Sequence, residues 1–239
     1  MSLNIVFPVL NEEVRMLPGI HKTIEYLEKN IAQEWKITIV DNGSTDMTWD
    51  QIEDLMHKDS RIEGIRLNER GFGWAWYNAI QKNEADIIGY MDVDLSTDLK
   101  HLPEVLEVFA ARPEVGIVKG NRLDKRSDVE GRKIGREITS RGLNWIVQTM
   151  FQTKICDTMC GFQFFRKEVA VRLAQECSDD KGWFYCAEML LRADRLHIPV
   201  AEIPVKWDDD YGTKVKVFKL IKNYMSRMII LKQDFKKYR

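Results

Sequence analysis

The hydrophobic positions of this chain gather into short, almost wholly apolar runs, each ending abruptly in polar residues. Leu3–Phe7, Lys36–Val40, Ile62–Leu67, Ile87–Met91 and Val115–Lys119 read as strands, and the nearly all apolar run at Ile87–Met91 suits a strand covered on both faces of a parallel sheet. Between them lie segments of helical character. One begins near Pro18, a good first helical residue, and another follows Asp41-Asn42-Gly43-Ser44-Thr45-Asp46, where Asn-Gly marks a turn and Ser44 or Thr45 is expected to cap the helix. Trp74–Lys82 and residues 101–111 supply two more. Strand and helix alternate four times over, which predicts an α/β fold with a mostly parallel sheet and right-handed crossovers.

Ligands of open α/β sheets bind outside the carboxyl ends of the strands. Here that edge collects Glu12, Asp41, Asn68, Asp92 and Asp94. Asp92 and Asp94 terminate the most apolar run and, two residues apart in an extended segment, point to the same side, so their oxygens can converge on one hard cation that holds a diphosphate. The plain alternative, an acidic turn before the next helix, loses ground because the other strand tips carry polar groups to the same edge. Pro-Val-Leu-Asn-Glu-Glu follows the first strand where a dinucleotide enzyme needs Gly-x-Gly-x-x-Gly, and no Walker-type phosphate loop occurs. Gly71-Phe72-Gly73 reads as a turn that lets backbone approach a ligand.

The 239 residues, 44% hydrophobic, suffice for one large domain or two small ones. No apolar stretch of spanning length or signal-like start appears, so the chain is expected neither to cross a membrane nor to be secreted. Its four cysteines lack zinc spacing and are expected as reduced thiols in the cytosol. The net charge of −1 hides a division: residues 1–120 hold 12 Lys/Arg against 21 Asp/Glu, and residues 121–239 hold 24 against 16. A basic second half fits a phosphate-bearing or membrane-surface partner. Arg122, Lys125, Arg126, Arg132, Lys133, Arg136 and Arg141 crowd one segment before an apolar helix face of Leu143, Ile146, Val147, Met150 and Phe151. A solvated basic loop before a core helix is the plain alternative. From Lys214 to Arg239 a basic helix carries Val217, Ile221, Tyr224, Met228, Leu231 and Phe235 at helical spacing. It is expected to lie in a lipid interface, or else to pack on the domain or a second subunit.

Pro8-x-x-Asn11-Glu12-Glu13, the Asp41–Asp46 turn and Asp92-Val93-Asp94 resemble the nucleotide-sugar domain of family 2 glycosyltransferases with the Rossmann-like GT-A fold. Gly120-Asn121-Arg122, Arg136, Asp157-Thr158-x-Cys160-Gly161-Phe162, Ile203-Pro204-Val205-x-Trp207 and Gly212-Thr213-Lys214 resemble the branch containing dolichyl-phosphate glucosyltransferase and dolichyl-phosphate mannose synthase. The likeness spans nearly the whole chain. It implies a domain over 1–213, with a nucleotide-sugar half (1–120) and an acceptor half (121–213), followed by the amphipathic helix 214–239. It also implies that Pro8, the backbone at Leu10, Glu12 and Asp41 contact the nucleoside, with Asn68 at the same edge. Asp92 would lie against the ribose or sugar phosphate and, with Asp94, at Mg2+ or Mn2+. Arg122, Arg136 and Ser140 would grip an acceptor phosphate, with Asp157 facing the sugar and Lys214 closing the diphosphate site.

Three departures matter. Ser96 stands where the mannose synthases carry a metal-binding glutamine, which favours a UDP-sugar over a GDP-sugar. Arg70 stands near where relatives carry a lysine, and Trp74 and Trp76 follow, residues that more often fill a core. Where close relatives read Trp-x-Phe-Asp-x-Glu, this chain has Trp183-Phe184-Tyr185-Cys186-Ala187-Glu188, so Cys186 replaces the aspartate, a base there is absent, and Glu188 fits a helix residue paired with a basic neighbour. The resemblance therefore implies an inverting, metal-dependent enzyme moving a hexose, glucose foremost, from a UDP-sugar to a polyprenyl or dolichyl phosphate. Such a phosphate is already anionic and needs no base. The expected setting is the cytosolic inner face of a membrane, with no nucleic-acid partner and a homo-oligomer open. Transfer to a hydroxyl of a polysaccharide, lipid or protein, and an inactive nucleotide-sugar-binding subunit, are the alternatives.

Overall fold

The computed structural model describes residues 1–178, 180, 182–209 and the helix 217–237, the last with side chains from residue 222 onward. Its elements run β1 (Leu3–Val9), α1 (Met16–Asn30), β2 (Trp35–Asp41), α2 (Thr48–Lys58), β3 (Ile62–Arg66), α3 (Phe72–Lys82), β4 (Ile87–Met91) and α4 (His101–Ala111). Then follow β5 (Ile117–Asn121), β6 (Asp128–Glu130), α5 (Ile134–Phe151), β7 (Phe162–Arg166), α6 (Lys167–Glu176), α7 (Phe184–Arg195), β8 (Val200–Pro204), β9 (Lys206–Asp208) and α8 (Val217–Lys237). The seven-stranded sheet has the order β3-β2-β1-β4-β7-β5-β8. All neighbours are parallel except β7, which runs antiparallel to both β4 and β5.

The apolar runs are buried on both faces, as their composition demands. Side chains of α1, α2 and α4 cover one face of the sheet, and those of α3, α6 and α7 cover the other. Trp76 is wholly buried in the second layer and Trp74 packs at its edge against Tyr77. Both tryptophans thus serve packing.

Several local expectations change. Helix α1 starts at Met16, two residues before Pro18, and β5 starts at Ile117, two residues after Val115. Ser44 and Thr45 do not cap α2; Asp46 instead accepts hydrogen bonds from the Thr48 amide and hydroxyl at the helix start. Gly73 brings the chain against protein, since a Cβ there would stand 2.5 Å from the Tyr185 Cβ and 2.6 Å from the Asp180 carbonyl oxygen.

The C-terminal stripe is corrected more deeply. Tyr224, Met228 and Leu231 are buried against Leu143 and Val147 of α5 and Phe184, Ala187 and Leu191 of α7, with Phe235 packed at the margin. From Tyr224 onward the face expected to meet lipid is part of a third hydrophobic core; the side chains of Val217 and Ile221 lie outside the described residues. Its hydrophobic positions satisfy helical spacing equally well in either role, so the sequence pattern alone did not discriminate. Among the described residues no helix is long and apolar enough to cross a membrane.

Candidate active site

The carboxyl edge is built first by stitching two strand tips together. Asn11 after β1 takes a left-handed φ of 54°, which asparagine tolerates. Its amide donates to the Ser44 hydroxyl at 2.9 Å, while its side-chain oxygen accepts from the Thr45 amide at 2.9 Å. The Glu12 amide donates to the Thr48 hydroxyl at 2.9 Å. The Ser and Thr residues of the β2 turn therefore fix the β1 loop rather than a helix end.

Between these loops Asp41 is fully buried. Its Oδ1 accepts from the Ser44 amide at 2.9 Å, and its Oδ2 is sealed from water without a hydrogen-bond partner, 3.9 Å from the Arg66 Nε. A buried carboxylate oxygen left unpaired is costly and marks a place for an incoming donor. Pro8 is half-buried beside it in β1, and Leu10 is exposed at the rim. The Glu12 carboxylate forms a two-pronged pair with Arg15, at 2.7 Å for each contact. Asn68 and Arg70 lie exposed on the loop between β3 and α3.

At the tip of β4, Asp94 is exposed, and its Oδ1 accepts from the Ser96 amide and hydroxyl at 3.0 and 2.7 Å. The residue that replaces the family's glutamine thus orients the second aspartate. Burial, then the charges of Asp94 and Glu12, push the Asp92 carboxyl up to about 7 against the pull of Arg122. Antiparallel β7 delivers Gly161 directly beside it: a Cβ there would stand 2.1 Å from Asp92 Oδ2. Only glycine leaves that carboxylate its place. Among the described residues no trio of acidic, histidine or cysteine side chains converges as a metal cage. Asp92 and Asp94 nevertheless fit a divalent ion of the kind bound by one or two carboxylates plus diphosphate oxygens and water, because their mutual repulsion is what such an ion relieves.

Across the cleft edge, Arg122 directly follows the last residue of β5. Its Nε and Nη2 donate to the two Asp157 oxygens at 2.8 Å each, and its amide donates to the same carboxylate at 2.9 Å. Burial pushes the Asp157 carboxyl up, but Arg122 beside it more than reverses this and holds it at about 2. The guanidinium also lies over the Trp207 ring, 4.5 Å from its centroid. Trp207 Nε1 donates to Asp209 at 3.1 Å, and Asp209 pairs with Arg136 at 3.0 Å. One indole therefore positions both arginines. Lys119, wholly buried, donates to the carbonyls of Gly120 and Cys156 at 2.8 and 2.7 Å and ties the end of β5 to the loop bearing Asp157.

Ser140 accepts from Arg132 Nη2 at 2.6 Å. The Arg132 side chain is only 7% exposed and pairs with Glu137 at 3.1 Å, while its Nη1 has no hydrogen-bond partner. Burial and then the charge of Arg122 lower its pKa. An arginine held inward next to another, with a donor free, is prepared for an anion. Arg132, Trp207 and Asp209 were not singled out as site residues; seven basic residues in one segment give no sign of which folds inward. Asp157 meets Arg122, Lys214 lies outside the described residues, and Arg136 is half-exposed near the same cluster.

Cys186 is buried, and burial pushes its thiol up to about 12. Glu188 is fully engaged: it accepts from the Ser178 amide and hydroxyl at 2.9 and 2.6 Å and from Arg192 Nε at 2.8 Å. It is a structural anchor, and Arg192 extends the link to Asp234 of α8 at 2.9 Å.

A mostly parallel sheet with an acidic β4 tip facing a basic segment defines a GT-A enzyme. The profile described as glycosyl transferase family 2 matches residues 4–173, and the chain belongs to that family. It is 30% identical over 233 residues to the glycosyltransferase AglD of Haloferax volcanii, covering 96% of this chain but 36% of that protein. It is likewise 30% identical over 227 residues to the dolichyl-phosphate beta-glucosyltransferase of Dictyostelium discoideum, covering 90% of this chain and 69% of that one. Among solved structures, glucosyl-3-phosphoglycerate synthase from Mycobacterium tuberculosis in complex with UDP shares the fold at a TM-score of 0.71 and 16% identity, over 97% of this chain and 80% of that one. The same enzyme with Mn2+, UDP-glucose and phosphoglyceric acid gives 0.70.

Proposed function

We propose that this protein transfers a hexose, glucose foremost, from a UDP-sugar to a polyprenyl or dolichyl phosphate, with inversion, at the cytosolic face of a membrane. The observation that carries the reading is the inward cluster of Arg122 and Arg132 with Ser140 and Arg136, set near the acidic edge. Asp41 Oδ2 would accept from the nucleoside base, with Pro8 and Leu10 lining it and Asn68 and Arg70 at the rim. Asp92 and Asp94 would hold Mg2+ or Mn2+, which when bound neutralises charge on the departing diphosphate.

On the acceptor side, Arg132 Nη1, Arg136 and Ser140 orient a phosphate oxygen toward the anomeric carbon, and Arg122 with Asp157 holds the floor of that pocket. The phosphate oxygen forms the new bond to that carbon while the bond to UDP breaks, and the electron pair leaves with the diphosphate. No proton has to be removed, because the acceptor is an anion. This agrees with Cys186, whose thiol at about 12 is useless as a base at neutral pH, and with a fully engaged Glu188. A hydroxyl acceptor would require what those two residues do not supply. Relatives whose names include dolichyl-phosphate glucosyltransferase and fold neighbours solved with UDP and Mn2+ support the choice of donor and acceptor.

The test is direct: purified protein, Mn2+, radiolabelled UDP-glucose and a short polyprenyl phosphate should give labelled lipid, and Asp94→Ala should abolish the label. Label appearing only on a hydroxyl acceptor, or none with any nucleotide sugar, would overturn the reading.

A further inference from the structure

One carboxylate of β8 is tied to the Arg122–Asp157 pair through the neighbours of both partners. Glu202 lies opposite Lys119 in the parallel register of β8 and β5, so the two side chains stand on the same face of the sheet. Glu202 Oε1 is 3.7 Å from Lys119 Nζ and accepts from the Cys156 amide at 2.6 Å, while its Oε2 accepts from the Asn121 side-chain amide at 2.8 Å. A buried ammonium is costly unless it is paired and hydrogen-bonded, and this carboxylate with two carbonyls meets that need for Lys119. Charge balance alone would explain Glu202 beside Lys119, but not the two amides it also receives.

What distinguishes those amides is where they sit. Asn121 directly precedes Arg122, and Cys156 directly precedes Asp157. The carboxylate thus holds the residue before each member of a pair whose two contacts, at 2.8 Å each, demand a fixed separation of two backbones. Asp157 takes a left-handed φ of 46° and donates its amide to the Asn144 side chain at 2.9 Å. A residue other than glycine keeps that conformation only where its surroundings hold it. On the other side, the Asn121 oxygen accepts from the Leu123 amide at 3.0 Å while its nitrogen donates to Glu202. Asn121 therefore brackets Arg122 and fastens it to β8.

We propose that Glu202 is a positioning residue: by holding Asn121 and Cys156 together it sets the separation at which Arg122 and Asp157 interlock, and with it the place of the Arg122 guanidinium. Its consequence for transfer rests on the proposed role of Arg122 at the floor of the acceptor pocket. The positioning itself can be read without turnover.

Arginine side-chain NMR supplies that reading. The Nε–H of Arg122, identified by its loss in Arg122→Lys, donates to Asp157, and that of Arg166 donates to the Val115 carbonyl at 2.8 Å, near the opposite end of β5. Hydrogen exchange at the Arg122 Nε–H is expected to quicken at least about tenfold in Glu202→Ala, with the Arg166 signal unchanged. Glu202→Gln, which keeps an acceptor for one amide, should fall between that variant and the parent. Asn121→Ala leaves Lys119 and Glu202 paired and cuts only the link to Arg122, so it reproduces the effect even if Glu202→Ala fails to fold. In the variants with a quickened signal the KM for a short polyprenyl phosphate should rise by up to about a hundredfold while UDP affinity stays constant. Equal quickening at Arg122 and Arg166 would reduce Glu202 to a general staple of β8 and overturn the proposal. An Arg122 signal indifferent to both Glu202→Gln and Asn121→Ala would overturn it too, as would parent-like kinetic constants beside a quickened signal. A parent that transfers nothing to polyprenyl phosphate, with the Arg122 response as expected, would overturn the acceptor reading and support the positioning.

Discussion

Arg132 is the side chain whose position says most about the acceptor. It is nearly buried, holds Ser140, and keeps Nη1 without a partner beside the Arg122–Asp157 pair. A charged hydrogen bond to phosphate contributes about 1.5–3 kcal/mol, or roughly tenfold to a hundredfold in affinity. Arg132→Gln is accordingly expected to raise the KM for polyprenyl phosphate by about that factor while UDP binding, read by calorimetry, stays constant. Equal loss of both would move Arg132 to the donor side. Asp92 offers a pH signature. Its folded carboxyl sits near 7 because of burial and the neighbouring Asp94 and Glu12, so the folded state takes up a proton that the unfolded state has already released over the interval from about 4 to 7. Stability of metal-free protein therefore falls as pH rises through that window. Asp92→Asn should flatten the profile, giving a higher Tm than the parent at pH 8 and little difference at pH 4; a parallel pair of curves would reject this account. The acid pair was legible from its place at the end of an apolar run. Arg132 was not, because its inward turn depends on Glu137 and Ser140 in a helix whose orientation no local pattern states.

At the scale of elements, β1, β2 and β4 were legible because a fully covered strand must be largely apolar and its tip must not be, whereas β3, an edge strand carrying Glu63 and Arg66, is only partly covered. What the runs do not carry is direction. Phe162–Arg166 is an apolar segment like the others, yet it enters the sheet antiparallel between β4 and β5. The joint between α3 and α7 is another feature outside local pattern. Gly73 donates its amide to the Gly182 carbonyl at 3.2 Å, and the atoms nearest its missing Cβ include two backbone oxygens that cannot rotate away. Gly73→Ala is expected to destabilise the fold by about 1–3 kcal/mol through overpacking, seen as a lower urea midpoint. An unchanged midpoint would mean that the 180–185 segment yields without cost.

Over the whole molecule, α8 closes the structure as part of a third core. Met228 is fully buried there among residues of α5 and α7. Met228→Ala should cost about 2–5 kcal/mol in chemical denaturation, whereas a helix resting only on lipid would leave stability in solution untouched. The stripe was visible in the sequence; its occupant was not, since protein and lipid ask for the same periodicity. The interleaving of β7 between β4 and β5 has an outcome for modularity. The sequence divides near residue 120 into an acidic donor half and a basic acceptor half, yet the second half contributes a central strand to the first half's sheet and the glycine that makes room for Asp92. Neither half is a transplantable cassette. Chimeras that exchange acceptor preference will have to graft the Arg122–Arg141 segment onto an intact sheet, because a cut at residue 120 removes the keystone from both pieces.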